Sequence, residues 1–183
     1  LKGKQVVGPK GTFLHQLLVA ALEKEGMKES DVQFINRSIP KALSTILAGH
    51  ADAALVASSA LIKANKAGAK TIINAEGLVE PTLVMTTTKQ FVEEHLDIVK
   101  RVDKVYAESL QWMKDHPAET AEMGAKEHGI SVEDAKTLME RSHYFDKMTT
   151  KDLEDLKVNQ KFLRDNGMMR NEVTVEELVL PVE

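Results

Sequence analysis

Over residues 1–80 the apolar positions alternate between a strand period and a helix period. Val6 and Val7 are β-branched and run into Gly8-Pro9, a short-strand signal. Thr12 then precedes Phe13, Leu14, Leu17, Leu18, Ala21 and Leu22, whose spacings of three and four draw one apolar stripe along a helix ended by Gly26. Val32, Phe34 and Ile35 predict a second strand. Pro40 suits the first turn of a helix with Ala42, Leu43, Ile46 and Leu47 inside, closed by Gly49. Residues 53–56 read as a buried strand, Ser58-Ser59 lead into a helix through Leu61, Ile62 and Ala64, and residues 71–73 predict a fourth strand. Strands alternating with short helices predict crossover units and a mainly parallel sheet, an α/β fold.

The pattern changes after Glu80-Pro81. Residues 82–87 are β-branched and predict a fifth strand; beyond them the 3.6-residue period dominates. Ile98, Val102, Val105, Tyr106, Leu110 and Met113 mark a long amphipathic helix stopped before Pro117. A helix from Pro117 to Gly129 follows, then one capped by Ser131 and one from Thr150 to Gly167. Thr174-Val175-Glu176-Glu177 has the spacing of a capping box. Two parts result, 1–80 and 81–183. The second has helical stripes but too few strands to cover them, so an exposed apolar patch and self-association are expected.

Charge adds a second contrast. Residues 1–80 carry ten Lys/Arg against seven Asp/Glu, and residues 81–183 fourteen against twenty-one. The acidic total of −4 argues against nucleic-acid binding, which needs a basic stripe. The absence of cysteine removes disulfides, thiolate catalysis and Cys-ligated metals. The longest apolar run, residues 17–22, is far short of the ~20 residues that cross a bilayer.

Candidate chemistry gathers where strands end. Gly8-Pro9-Lys10-Gly11-Thr12 joins a strand to a helix; its glycines permit close backbone approach, and a helix start presents unpaired N–H groups and a positive dipole end. An anion such as a sulfonate, nitrate, phosphate or carboxylate suits that place, whereas neither GxGxxG nor a P-loop spacing is present. The same turn is also what a plain strand-to-helix connection capped by Thr12 looks like. Ser58 and Ser59 can donate to an anion or cap their helix, and Arg37 beside Ser38 can clamp an anion or be solvated. His15 is a ligand contact or a partly exposed helix residue, and Glu80 meets a cationic group or lies on the surface. The six histidines form no HExxH or other close pair, so no metal and no cofactor are expected, and no catalytic triad is recognisable.

These residues resemble a known family. Leu1-Lys2-Gly3-Lys4-Gln5-Val6-Val7 with Pro9-Lys10-Gly11-Thr12 is similar to the opening of the second lobe of ABC-transporter substrate-binding proteins, in the nitrate/sulfonate/taurine branch that includes relatives of thiamine-pyrimidine-binding proteins. Pro40-Lys41-Ala42-Leu43, Gly49-His50-Ala51-Asp52-Ala53-Ala54, residues 91–100, and Leu163-Arg164-Asp165-Asn166-Gly167-Met168 match further motifs in the same order. The resemblance implies a periplasmic-binding-protein-like (type II) fold. Residues 1–80 would be the ligand-binding second lobe, and 81–183 a hinge strand and the helical return of an incomplete first lobe whose sheet precedes residue 1. The hinge would fall near residues 1–5 and 80–87.

Carried over by position, Gly11, Thr12 and Phe13 face the anion, Ser38 lies on the neighbouring loop, and Ala57-Ser58-Ser59 stand where many relatives carry Trp-Asp/Glu-Pro. The resemblance therefore implies capture of a small, anionic solute in a cleft between lobes, a membrane permease as partner, no catalysis, and a periplasmic or extracellular location, lipid-anchored or free. Two alternatives share the fold. One is a biosynthetic enzyme of a pyrimidine or menaquinone pathway, with His15 as its base; the other is the effector-sensing domain of a transcription regulator.

Overall fold

The structure is a computed structural model and describes residues 1–81, 83–142, 144 and 147–180. The chain divides into two compact units, Leu1–Pro81 and Thr82–Glu183.

The first unit is a three-stranded parallel sheet with helices between its strands. The elements run β1 (Gln5–Gly8), α1 (Phe13–Lys24), β2 (Gln33–Asn36), α2 (Ile39–Leu47), β3 (Ala53–Ala54) and α3 (Ser58–Lys66). The strand order is β2-β1-β3, with Val6 opposite Phe34 and Ala53, so β1 is central. Val6 and Val7 are fully buried, as β-branched residues of a central parallel strand covered on both faces should be. Val6, Leu18, Leu22 and Val32 form the core, with Phe34 and Leu55 packed against them. Asp52 fastens β3 to β1: its carboxylate accepts from the Gln5 amide at 2.9 Å and from Lys4 Nζ at 3.2 Å. These bonds, the Gln5 amide foremost, hold its pKa below the ordinary carboxylate range.

Gly8 closes β1 against a neighbour. A Cβ there would meet Leu55 Cβ at 2.6 Å, so the glycine is spent on packing β1 against the segment after β3. Beyond α3 the sheet stops. Residues 71–73, expected as a fourth strand, are irregular, and Ile72 is 70% exposed. The expected fifth strand and hinge strand at 80–87 is also absent from its described residues: Leu83 is 79% exposed, Val84 and Met85 are exposed too, and Thr82 lies outside the described residues. β-Branched sequence favours a pleated, half-buried surface, and neither segment has a strand beside it among the described residues.

The second unit is helical: α4 (Lys89–Glu94), α5 (Leu96–Asp115), α6 (Pro117–His128), α7 (Val132–Arg141), α8 (Thr150–Asp165) and the single turn α9 (Val175–Leu178). α6 and α7 meet through Ala121, Ala125 and Ala135, with Gly124 opposite Ala135 at ordinary contact distance. Small side chains there let the two helix backbones approach closely. Pro117 at the start of α6 and left-handed Gly129 at its end act as expected. The Ser131 cap is a full capping box with Asp134, and Thr149 forms another with Asp152. Thr174 does not complete the box its spacing suggests; its hydroxyl caps nothing in the short α9.

Candidate functional site

The three helices of the first unit all begin beyond the carboxyl end of a parallel strand. The turns 9–12, 37–38 and 55–57 therefore lie along one edge of the sheet, where open α/β sheets bind ligands. Backbone bonds tie the first two together. The Arg37 amide donates to Gly8 O at 2.8 Å, and the Lys10 amide to Asn36 Oδ1 at 2.9 Å. The third is anchored by the Leu55 amide on Val7 O at 2.8 Å.

Within turn 9–12 each group has a definite task. Gly11 adopts φ +71°, the left-handed region that glycine occupies without cost, and its amide donates to His15 Nδ1 at 3.2 Å. The Thr12 hydroxyl donates backward to Pro9 O at 2.9 Å, so Thr12 occupies the cap position of α1 without capping it. Consequently the amides of Thr12, Phe13 and Leu14, at the helix's positive end, meet no acceptor among the described residues. Thr12 is exposed and Phe13 half-buried.

The other turns repeat this feature. Ser38 stands at the cap position of α2 with its hydroxyl uncommitted to the helix, and Pro40 follows in the first turn. In α3 the cap position is Ala57, which has no hydroxyl; Ser58 is the first helical residue, at φ +53°, with its side chain exposed. A left-handed non-glycine residue is strained, and such strain gathers at binding sites. Ser59 is half-buried beside it. The capping role weighed for Ser58 and Ser59 is therefore not the one they play. The Arg37 guanidinium folds back onto Asn36 O at 3.0 Å.

His15 corrects the sequence reading. It is not the partly exposed helix residue expected: it is 1% exposed, stacked on Phe34 with centroids 4.6 Å apart, and its Nδ1 accepts from the Gly11 amide. The buried face of α1 runs through Leu14, His15, Leu18, Val19 and Leu22, rotated from the all-apolar stripe and taking the histidine inside. Likewise the Gly11 amide is turned to His15, which leaves the amides of Thr12, Phe13 and Leu14 as the unbonded donors of this turn among the described residues. Glu80 is exposed in irregular chain after buried Val79 and belongs to none of the three turns. Sequence reasoning passed over Asn36 as a turn fastener and Asp52 as a strand fastener; both are short polar residues at a strand terminus, which was the available signal.

The second unit holds an open depression of about 890 Å³ lined by residues including Lys157, Arg164, Glu172 and Glu176. Its charges answer one another. Lys157 pairs with Glu176 at 2.6 Å, and Arg164 with Glu172, which leaves little field for a solute.

The sequence profile of the NMT1/THI5-like family matches residues 1–120. A protein of Bacillus subtilis (strain 168) whose name assigns it the binding of aliphatic sulfonates is 31% identical over 126 residues, covering 67% of this chain and 38% of that protein. Among solved structures, the periplasmic aliphatic sulphonate-binding protein SsuA from Escherichia coli superposes with a TM-score of 0.82 at 16% identity, over 100% of this chain and 60% of that one. The alkanesulfonate-binding SsuA from Xanthomonas axonopodis pv. citri, bound to MOPS, gives 0.83 at 18% identity over 98% and 63%. The fold is thus shared with periplasmic binding proteins, and the chain spans 38% to 63% of the length of these relatives.

Proposed function

Since the chain belongs to the NMT1/THI5-like family, we propose that it is part of the solute-capture subunit of an ABC importer and holds an aliphatic sulfonate at the carboxyl edge of the first unit's sheet. One observation carries the reading: the α1 start has three consecutive amides without acceptors, on a turn otherwise fully fastened. A sulfonate is charged at every physiological pH and offers three acceptor oxygens, which matches a cluster of N–H donors at a helix dipole. The uncommitted hydroxyls of Ser38, Ser58 and Ser59 supply further donors, and Ala57-Ser58-Ser59 places no carboxylate there to repel an anion. The names of the relatives support sulfonate over nitrate or carboxylate. The same relatives support a periplasmic location and a membrane permease as partner.

The same geometry supports capture without turnover. A general base must reach its proton, and the histidine on which an enzyme reading depends is sealed behind Gly11 and Phe34. The test is an amide-resolved NMR titration of the chain with methanesulfonate, and with acetate as control. Shifts concentrated on Thr12, Phe13 and Leu14 for methanesulfonate are expected; perturbation spread elsewhere, or none at millimolar ligand, overturns the proposal.

A further inference from the structure

His15 is a buried polar group that sulfonate capture leaves unused, and its surroundings give it a task. Its Nδ1 accepts the Gly11 amide at 3.2 Å, so the ring nitrogen there carries no proton and the neutral tautomer has its proton on Nε2. Nε2 lies 3.3 Å from Glu29 Oε2, close enough for electrostatic attraction yet not aimed for a hydrogen bond. Of the elements packed around the ring, the turn Glu29–Asp31 brings the Glu29 carboxylate, β2 brings uncharged Phe34, and the loop brings the Gly11 amide. Asp31 of that turn is committed to the Lys28 amide and to Lys2.

We propose that His15 is a positioning residue for the sulfonate site: its Nδ1 acceptor turns the Gly11 amide inward and so fixes Thr12, Phe13 and Leu14 as the anion-facing set. This rests on the reading of the α1 start as the anion site. Without that acceptor the turn would lose the bond that joins Gly11 to the helix, and affinity would fall. Loss of one such bond corresponds to roughly fivefold weaker binding.

Two variants separate the possibilities. His15→Phe keeps a ring against Phe34 and removes the acceptor. His15→Asn places an Oδ1 acceptor near the Nδ1 position. In the ligand-free chain, amide hydrogen exchange should be slow at Gly11 and faster at Thr12 and Phe13. His15→Phe should speed Gly11 by about tenfold while Lys10, bonded to Asn36, is unchanged; His15→Asn should keep Gly11 slow. His15→Phe should weaken methanesulfonate binding about fivefold, and His15→Asn, which restores an acceptor, should bind like the unsubstituted chain. Unchanged Gly11 exchange in His15→Phe, or equal affinity loss in His15→Phe and His15→Asn, overturns the inference. If His15→Phe does not fold, Gly11 exchange in His15→Asn decides alone: fast exchange there overturns the inference. The exchange readout needs no ligand, so slow Gly11 exchange with no methanesulfonate shift would sink the sulfonate reading, and with it the affinity claim, separately from the loop geometry.

Discussion

The helices of the two units start differently. In the second unit α4, α7 and α8 close their own N-termini: Thr88, Ser131 and Thr149 each accept an amide of the first turn, the last two within full capping boxes. In the first unit α1, α2 and α3 have no side-chain cap, although Thr12 and Ser38 are residues well able to provide one. A cap contributes about 1 kcal/mol, so three open starts along one sheet edge are a cost that a ligand can offset and a purely structural edge would avoid. α5 and α6 are a separate case, beginning on His95 and His116 at joints between consecutive helices, and the single turn α9 is also uncapped although Thr174 precedes it. The cores differ as well. The first unit packs Val and Leu on a sheet, the second closes its α6–α7 seam with alanines and leaves large apolar side chains of α5 in solvent.

The largest expected effect concerns those exposed side chains. Ile98, Val102, Val105 and Trp112 fall on one side of α5 and are all exposed, as are Leu83 and Met85. Such a patch predicts concentration-dependent self-association of this chain, with a light-scattering mass at least twice that of the monomer, reduced by Val105→Glu. A monomer at every concentration would remove this half of the contrast.

Next come the cores. Leu22→Ala, at a fully buried position beside Val6, should cost about 3 kcal/mol in urea unfolding. At the alanine seam the damaging direction reverses: Ala121→Leu should cost about 2 kcal/mol by overpacking. Equal tolerance of both substitutions would erase the distinction.

The helix starts can be tested against each other at about 1 kcal/mol. Ser131→Ala should lose that much, and Ser38→Ala nearly nothing. Thr12→Asp should gain up to that amount, by bringing an acceptor and a negative charge to the α1 start, while abolishing the methanesulfonate shifts. A Thr12→Asp chain that still responds to methanesulfonate would place the anion elsewhere.

The smallest effect is acid sensitivity at Asp52. Its folded pKa is held below the ordinary value of 3.8, so its contribution is complete above that pH and is lost as pH falls through the folded value. Asp52→Asn should flatten that part of the urea-midpoint profile below about pH 4, leaving any acid loss from second-unit carboxylates in place.

How far the sequence carried can be seen residue by residue. β1, β2, α1 and α2 were legible because Val6-Val7 ends at Gly8-Pro9 and the helical stripes end at Gly26 and Gly49, where local chemistry and fold agree. Residues 71–73 and 83–87 were misread because β-branched side chains express a preference for a neighbouring strand and do not supply one. At the site, the position of the Thr12 turn was legible. The direction of its hydroxyl was not, since a threonine before a helix can bond forward or back. His15 was misjudged by counting only apolar residues along α1. Its spacing to Val19 places it on the inner face, and a histidine can lie there when Gly11 and Phe34 accommodate it. Gly8 was read as room for a solute, and Leu55 fills that room.

Ser58 carries one more consequence. Holding a serine in the left-handed region costs about 1 kcal/mol that glycine would not incur. Ser58→Gly should therefore make the protein sturdier and its third turn looser at once. The serine behaves as a loaded spring: the direction in which its hydroxyl leaves the chain is set by backbone tension, before any solute arrives to ask for it.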